Sequence, residues 1–227
     1  MGKPVCVVIG IGPKNGQAFA SRFAKEGYAV ALLSRSTDYS SGLAKELGGK
    51  AYACDVTDPA AIKNAFAQVR NDLGDVDVLL YNAGSGQFGT FETVPDEEFE
   101  KGWQINVRGL LQSTREVVGP MRKRGKGTII VTGATASLRG KPFTAAFASA
   151  KAAQRSLAQS FARQLGPEGI HVALVIVDGG IGTDEQTGDE GTHLRPSDIA
   201  ETVYHLATQP KSAWSFEVDV RPFKENW

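Results

Sequence analysis

Seven short apolar runs, several of them β-branched at most positions, alternate along this chain with longer stretches of helical periodicity. No other feature constrains the fold as much. The runs fall at 5–9, 29–33, 51–54, 76–81, 128–132, 171–177 and 216–220, and the amphipathic stretches near 15–26, 41–47, 58–72, 96–123, 143–165 and 196–207. Runs such as Val78-Leu79-Leu80-Tyr81 and Val172-Ala173-Leu174-Val175-Ile176-Val177 are apolar at every position, the pattern of strands covered on both faces. Strand–helix repetition predicts right-handed βαβ units. The expected fold class is therefore α/β, a doubly wound parallel sheet of about seven strands in three α/β/α layers. A length of 227 residues suits one such domain, 1–227, rather than two. Asp58-Pro59 reads as a helix cap and first turn, and Gly166-Pro167 ends another helix. The one loose segment is the polar, glycine-rich stretch 179–196. It follows a strand, so it borders the expected ligand site at the strands' carboxyl ends.

Composition then removes whole classes of function. Lys plus Arg and Asp plus Glu both number 25, and this balance argues against nucleic acid or an anionic membrane as partner. No apolar run approaches a membrane span, and the run at 5–11 is too short for a signal peptide. Met1-Gly2 lacks the Ser or Thr that acylation wants at position 6, where Cys6 stands. A cytoplasmic protein is expected. Cys6 and Cys54 lie in strand-like runs and read as buried reduced thiols. His171, His193 and His205 are too far apart for a metal site, so no metal is expected.

The first strand runs into Gly10-Ile11-Gly12-Pro13-Lys14-Asn15-Gly16 and then a helix start. Glycines allow the tight turn and close backbone approach, and the helix N-terminus offers unpaired N–H groups to a pyrophosphate. The second strand ends in Leu33-Ser34-Arg35, with no acidic residue to grip a ribose 2′-hydroxyl. Arg35 and Lys14 instead suit a 2′-phosphate, so NADP(H) is preferred over NAD(H). The competing reading makes both of them solvated surface cations.

Several motifs now fall in order, and with them the chain resembles the short-chain dehydrogenase/reductase family, a Rossmann-type fold, over nearly its whole length. Gly10 and Gly16 match the family's T-G-x-x-x-G-x-G loop, with Lys14 where its middle glycine belongs. Asp55-Val56 resembles its adenine-contacting pair, and Asn82-Ala83-Gly84 its N-A-G beside the cofactor. Asn106 matches the helix asparagine counted among its catalytic residues. Gly179 and Thr183 match the P-G-x-x-x-T segment that touches the nicotinamide, with Asp178 in place of the proline. Two further helices, 96–123 and 143–165, carry small and apolar residues around much of their circumference. In the family they form a dimer bundle, so a homodimer is implied, or a homotetramer if the strand at 216–220 adds a second interface.

The resemblance also implies hydride transfer between a nicotinamide and a small-molecule carbonyl or alcohol. A Tyr-x-x-x-Lys carries that reaction: the phenol moves a proton, while the lysine lowers its pKa and holds ribose. Here Lys151 is present, but position 147 is Phe147, and Ala134 occupies the place of the assisting serine. Slippage cannot restore the phenol, because no tyrosine lies between Tyr81 and Tyr204. The pattern resembles a subgroup with phenylalanine in the tyrosine's place. Thr144 could orient a water or substrate but is too weak an acid to replace the tyrosine. Thr135 and Ser137 could reach a substrate oxygen. Asp178 either acts as an acid or caps a turn or pairs with a cation. Three functions stay open: an NADP(H)-dependent oxidoreductase with altered acid–base chemistry, suited to an activated C=C; a catalytically silent NADP(H)-binding sensor or assembly protein; and a relic that binds neither.

Overall fold

Strand β1 (Val5–Ile9) is buried along its whole length, and its period of two splits the core into two layers. Val5, Val7 and Ile9 point into one layer and Cys6 and Val8 into the other. The same division holds along β2 (Ala29–Ser34), β3 (Lys50–Ala53), β4 (Val76–Tyr81) beyond an irregularity at Val76, β5 (Gly127–Ala134) and β6 (Ile170–Val177), while β9 (Glu217–Val220) gives Val218 and Val220 to the second layer. In the computed structural model, which describes residues 2–85, 88–184 and 191–226, these seven strands form one parallel sheet in the order β3-β2-β1-β4-β5-β6-β9. Helices α1 (Asn15–Lys25), α2 (Asp38–Leu47) and α7 (Pro196–Thr208) cover one face, with Phe19, Phe23, Leu43 and Val203 in that core. Helices α3 (Pro59–Asp72), α5 (Gly109–Arg124) and α6 (Ala145–Leu165) cover the other, with Phe66, Leu110, Met121 and Phe161. The doubly wound, three-layer α/β expectation holds.

Strand order reverses between β1 and β4, and there the glycine loop is locked to the sheet. Gly10 has φ +91°, and a Cβ on it would lie 2.5 Å from the Ala83 amide nitrogen, so no other residue fits. The Asn82 amide nitrogen donates to the Gly10 carbonyl at 2.8 Å, and the Thr132 hydroxyl donates to Asn82 Oδ1 at 3.1 Å. One side chain thus ties β1, β4 and β5 together at their carboxyl ends.

The stretch 96–123, expected as one helix, is interrupted. Helix α4 (Asp96–Trp103) passes through a π-helical turn, Gln104–Arg108, into α5. The wide turn frees carbonyls, and side chains take them. Asn106 Nδ2 donates to the Gly102 carbonyl at 2.9 Å, and the Tyr81 phenol donates to the Ile105 carbonyl. Gly109 makes room, since a Cβ there would collide with that phenol oxygen at 2.3 Å. Pro120 inside α5 removes the donor for the Glu116 carbonyl, and the Arg70 guanidinium of α3 donates to it instead at 3.2 Å. Periodicity does not register such repairs. Nor does it register the two-residue strands β7 (Gly180–Ile181) and β8 (His193–Leu194), which pair within the stretch read as loop; 185–190 lie outside the described residues.

Candidate active site

A cleft of about 1850 Å³ opens over the carboxyl ends of the central strands. At one end the glycine loop forms its floor. A Cβ on Gly12 would meet nothing within 4 Å, so the backbone there is open to a ligand. Asn15 Oδ1, in the first turn of α1, is buried with no hydrogen-bond partner, and that turn holds no acidic residue. Positive helix-end potential and exposed backbone together fit a diphosphate. Lys14 bridges the cleft by donating to the Ile181 carbonyl. Arg35 lines the wall at the end of β2. Opposite it Asp55 accepts from the Thr57 N–H at 2.9 Å and the Thr57 hydroxyl at 2.8 Å. The Thr57 backbone bond first, and the Arg35 charge after it, hold Asp55 below the usual carboxylate range.

Lys151 stands at the other end. The side chain is buried, and Nζ donates to the Thr132 carbonyl and to Gln154 Oε1, both at 2.9 Å. Burial pushes its pKa down to about 7. Phe147 lies one helical turn away on α6, its ring centre 6.0 Å from Nζ, and packs against the exposed Phe88 ring at 5.5 Å. Ala134 ends β5 on the same wall. The candidate hydroxyls are all engaged locally. Thr144 exchanges hydrogen bonds with the backbone of Lys141, Ser137 donates to the Ala134 carbonyl, and Thr135 donates to Asp178 Oδ1 at 2.5 Å. Asp178 is 5 % exposed, and it pairs with Arg221 at 3.2 Å and Arg139 at 3.5 Å. Donors hold both its oxygens, which supports the ion-pair reading over an acid role.

Most residues singled out from the sequence line this one cleft: Gly10, Gly12, Lys14, Asn15, Gly16, Arg35, Asp55, Val56, Asn82, Ala83, Gly84, Ala134, Phe147, Lys151 and Gly179. Two do not. Asn106 is fully buried behind the wall: a Cβ on Gly84 would sit 3.5 Å from both Asn106 Oδ1 and Lys151 Nζ. Thr183 lines a separate hollow of about 980 Å³ beside Arg195 and Arg221. The sequence reading missed Gln154, the partner of Lys151. A polar residue three positions beyond a lysine in an alanine-rich, apolar helix is the signal that would have found it. Among the described residues no group of three or more His, Cys, Asp or Glu gathers as a metal site, and no helix is long and apolar enough to cross a membrane.

A family model described as short chain dehydrogenase matches residues 4–191. The 3-oxoacyl-(acyl-carrier-protein) reductase of Escherichia coli is 30% identical over 182 residues, 79% of this chain and 74% of that protein. A short-chain dehydrogenase from Rhodopseudomonas palustris superposes with a TM-score of 0.84 at 33% identity, covering 96% of this chain and 98% of the other. An alcohol dehydrogenase from Thermococcus sibiricus, solved with 5-hydroxy-NADP, superposes with a TM-score of 0.87 at 27% identity and 99% coverage of both.

Proposed function

The chain belongs to the short chain dehydrogenase family, and from that premise we propose that it is an NADP(H)-dependent oxidoreductase reducing a C=C bond conjugated to a carbonyl. One observation carries the reading: the lysine end of the cleft has no phenol and no uncommitted hydroxyl among its candidates. Phe147 and Ala134 face it, while Thr135, Ser137 and Thr144 are all hydrogen-bonded within the fold. A simple ketone needs a proton on oxygen as hydride arrives, help worth about 10²–10⁴ in rate. A conjugated acceptor spreads the incoming charge, so protonation can follow from a weaker or slower source.

Bound at the glycine loop, a reduced dinucleotide supplies the hydride. Gly10, Gly12 and Gly16 with the start of α1 would hold its diphosphate. Arg35 would hold the 2′-phosphate and Asp55 would lie near the adenine, while Asn82 keeps the loop in register with the sheet. Gly179, which lines the cleft, is proposed to lie on the nicotinamide side, while Thr183 stands in the neighbouring hollow. The NADP analogue bound by the Thermococcus sibiricus relative supports this choice of cofactor. Both cysteines are buried and unpaired, which suits the reducing, cytoplasmic setting we propose. For assembly we propose a homodimer through α5 and α6, with the β9 edge available for a tetramer.

The absent phenol also favours a second reading, a silent NADP(H)-binding sensor or assembly protein. One experiment separates the two: NADPH oxidation with a panel of enones, enoyl thioesters and simple ketones. Reduction of conjugated acceptors but not of ketones is expected. Tight NADPH binding with no turnover across the panel would establish the silent reading instead.

A further inference from the structure

The Lys151 end of the cleft opens between two aromatic rings and two cations. Phe88 is 66 % exposed, and its ring packs on Phe147 at 5.5 Å with the planes 44° apart. Main-chain bonds fix it there: the Gly89 N–H donates to the Phe143 carbonyl at 2.8 Å, and the Ala145 N–H donates to the Gly89 carbonyl at 3.3 Å. Both rings line the cleft. Exposed aromatic area in a concave site is area that a ligand can cover, and a flat conjugated group covers it best because it can stack. Arg139 and Lys141, on the loop after β5, also line the cleft. Gly140 between them packs on the α6 turn that carries Phe147: a Cβ there would lie 3.9 Å from Ala148 Cβ. The Lys141 ammonium has no hydrogen bond or ion pair among the described residues, and Arg139 has one ion pair, to Asp178 at 3.5 Å. Asp178 is itself buried and held by Arg221 and the Thr135 hydroxyl. It anchors one edge of the guanidinium and leaves the other N–H bonds without an acceptor. Solvation alone asks for no such anchor.

We infer that this mouth receives a flat, unsaturated carbonyl compound that bears a carboxylate. Its conjugated part lies along Phe88 and Phe147, and Arg139 with Lys141 holds the carboxylate. The inference rests on the C=C-reducing function proposed above and names the substrate class for it. A guanidinium edge meets a carboxylate with two parallel N–H bonds, and an ammonium adds charge with little demand on geometry. An amine would instead meet two like charges. The remaining carboxylates of the cleft reinforce this polarity. Glu97, Glu98 and Glu100 stand on α4 with Lys101, whose charge acts on Asp55. Glu225 comes from the C-terminal tail beside Gly179, where a Cβ would lie 3.0 Å from its Oε2. It repels a carboxylate from the tail side and so directs the acid end toward the loop after β5.

The test uses a matched pair of molecules. 3-Benzoylacrylate is an enone with a phenyl ring and a carboxylate, and its methyl ester is the same molecule without the charge. The saturated acid, 3-benzoylpropanoate, and its methyl ester read binding without turnover, by calorimetry on the protein with NADP⁺. The acid should bind about ten- to hundredfold more tightly than the ester, the worth of a charge-assisted pair. Arg139→Gln and Lys141→Met should each bring that ratio several-fold closer to one. Lys45→Gln, which removes a charge from α2 outside the cleft, should leave it unchanged. Phe88→Ala should weaken acid and ester together by about tenfold. Equal affinity for acid and ester, a ratio that survives both cation variants, or no binding of the acid would overturn the assignment. Reduction of neutral enones alongside any of these would leave the oxidoreductase reading standing without it. An acid preference that depends on Arg139, with no turnover of either benzoylacrylate, would keep the carboxylate site and overturn the reducing function.

Discussion

The two ends of the cleft are built from different materials. At the glycine loop the backbone makes the site: Gly10 fits because a Cβ would strike Ala83, Gly12 leaves open space, and α1 contributes its N-terminal potential. At the Lys151 end side chains make the site, and nearly all of them bond to one another. Thr144 is tied to Lys141, Ser137 to Ala134, Thr135 to Asp178, Asp178 to two arginines and Lys151 to Gln154. A backbone site tolerates an altered side chain such as Lys14, because main-chain N–H groups remain whatever the residue. A side-chain site does not, because each of its groups depends on one particular partner. The first kind of site persists through sequence change, and the second decides chemistry.

The sharpest way to break this contrast is a methyl group on the backbone site. Gly10→Ala must adopt φ near +91° and push into the Ala83 amide. It should lower stability by about 3 kcal/mol and abolish dinucleotide binding. Gly12→Ala meets no atom and should leave the melting temperature unchanged while weakening the same binding. Denaturant titration and calorimetry of the pair check this, and equal stability loss in both would refute the backbone account.

Next in size is the pH dependence that Lys151 builds into the fold. Its pKa is lowered from 10.5 to about 7 by burial, so between those values the unfolded chain binds a proton that the folded chain does not. Stability should therefore rise with pH from about 7 to 10.5, by a few kcal/mol at most, and the burial penalty should be present in full below 7. Lys151→Met should remove that rise, as read from melting temperatures across the range. An unchanged slope in the variant would place its origin elsewhere.

Arg35→Asp comes third. One charge-assisted contact to a 2′-phosphate is worth about 1.5–3 kcal/mol, so the preference for NADP(H) should fall about ten- to hundredfold or invert. Equal affinity of the parent for both cofactors would remove the basis for the assignment. The smallest effect on stability, and the most telling for chemistry, is Phe147→Tyr combined with Ala134→Ser. Both side chains line the cleft, so the melting temperature should barely change. With Lys151 one turn away, NADPH-dependent reduction of small reactive ketones should appear. A drop of about 1–3 kcal/mol would mean that the ring tip meets packed core rather than the cavity.

The sequence by itself determined the layered parallel sheet. A strand apolar at every position, such as 172–177, can be satisfied only by cover on both faces, and the helical period between strands supplies that cover. It also located the glycine loop, the Asn82 tie and the missing phenol, because each is a residue identity at a fixed distance from its neighbours along the chain. Tertiary structure alone decided the rest. The π turn at Gln104–Arg108, the withdrawal of Asn106 behind Gly84, the siting of Thr183 in another hollow and the grip of Gln154 and Thr132 on Lys151 all depend on contacts between segments or on helix geometry. Periodicity reports which face of a segment is apolar. It carries no record of which hydrogen-bond partner a buried polar atom will find once the faces have closed, and that choice gave Lys151 its two acceptors, Thr132 and Gln154.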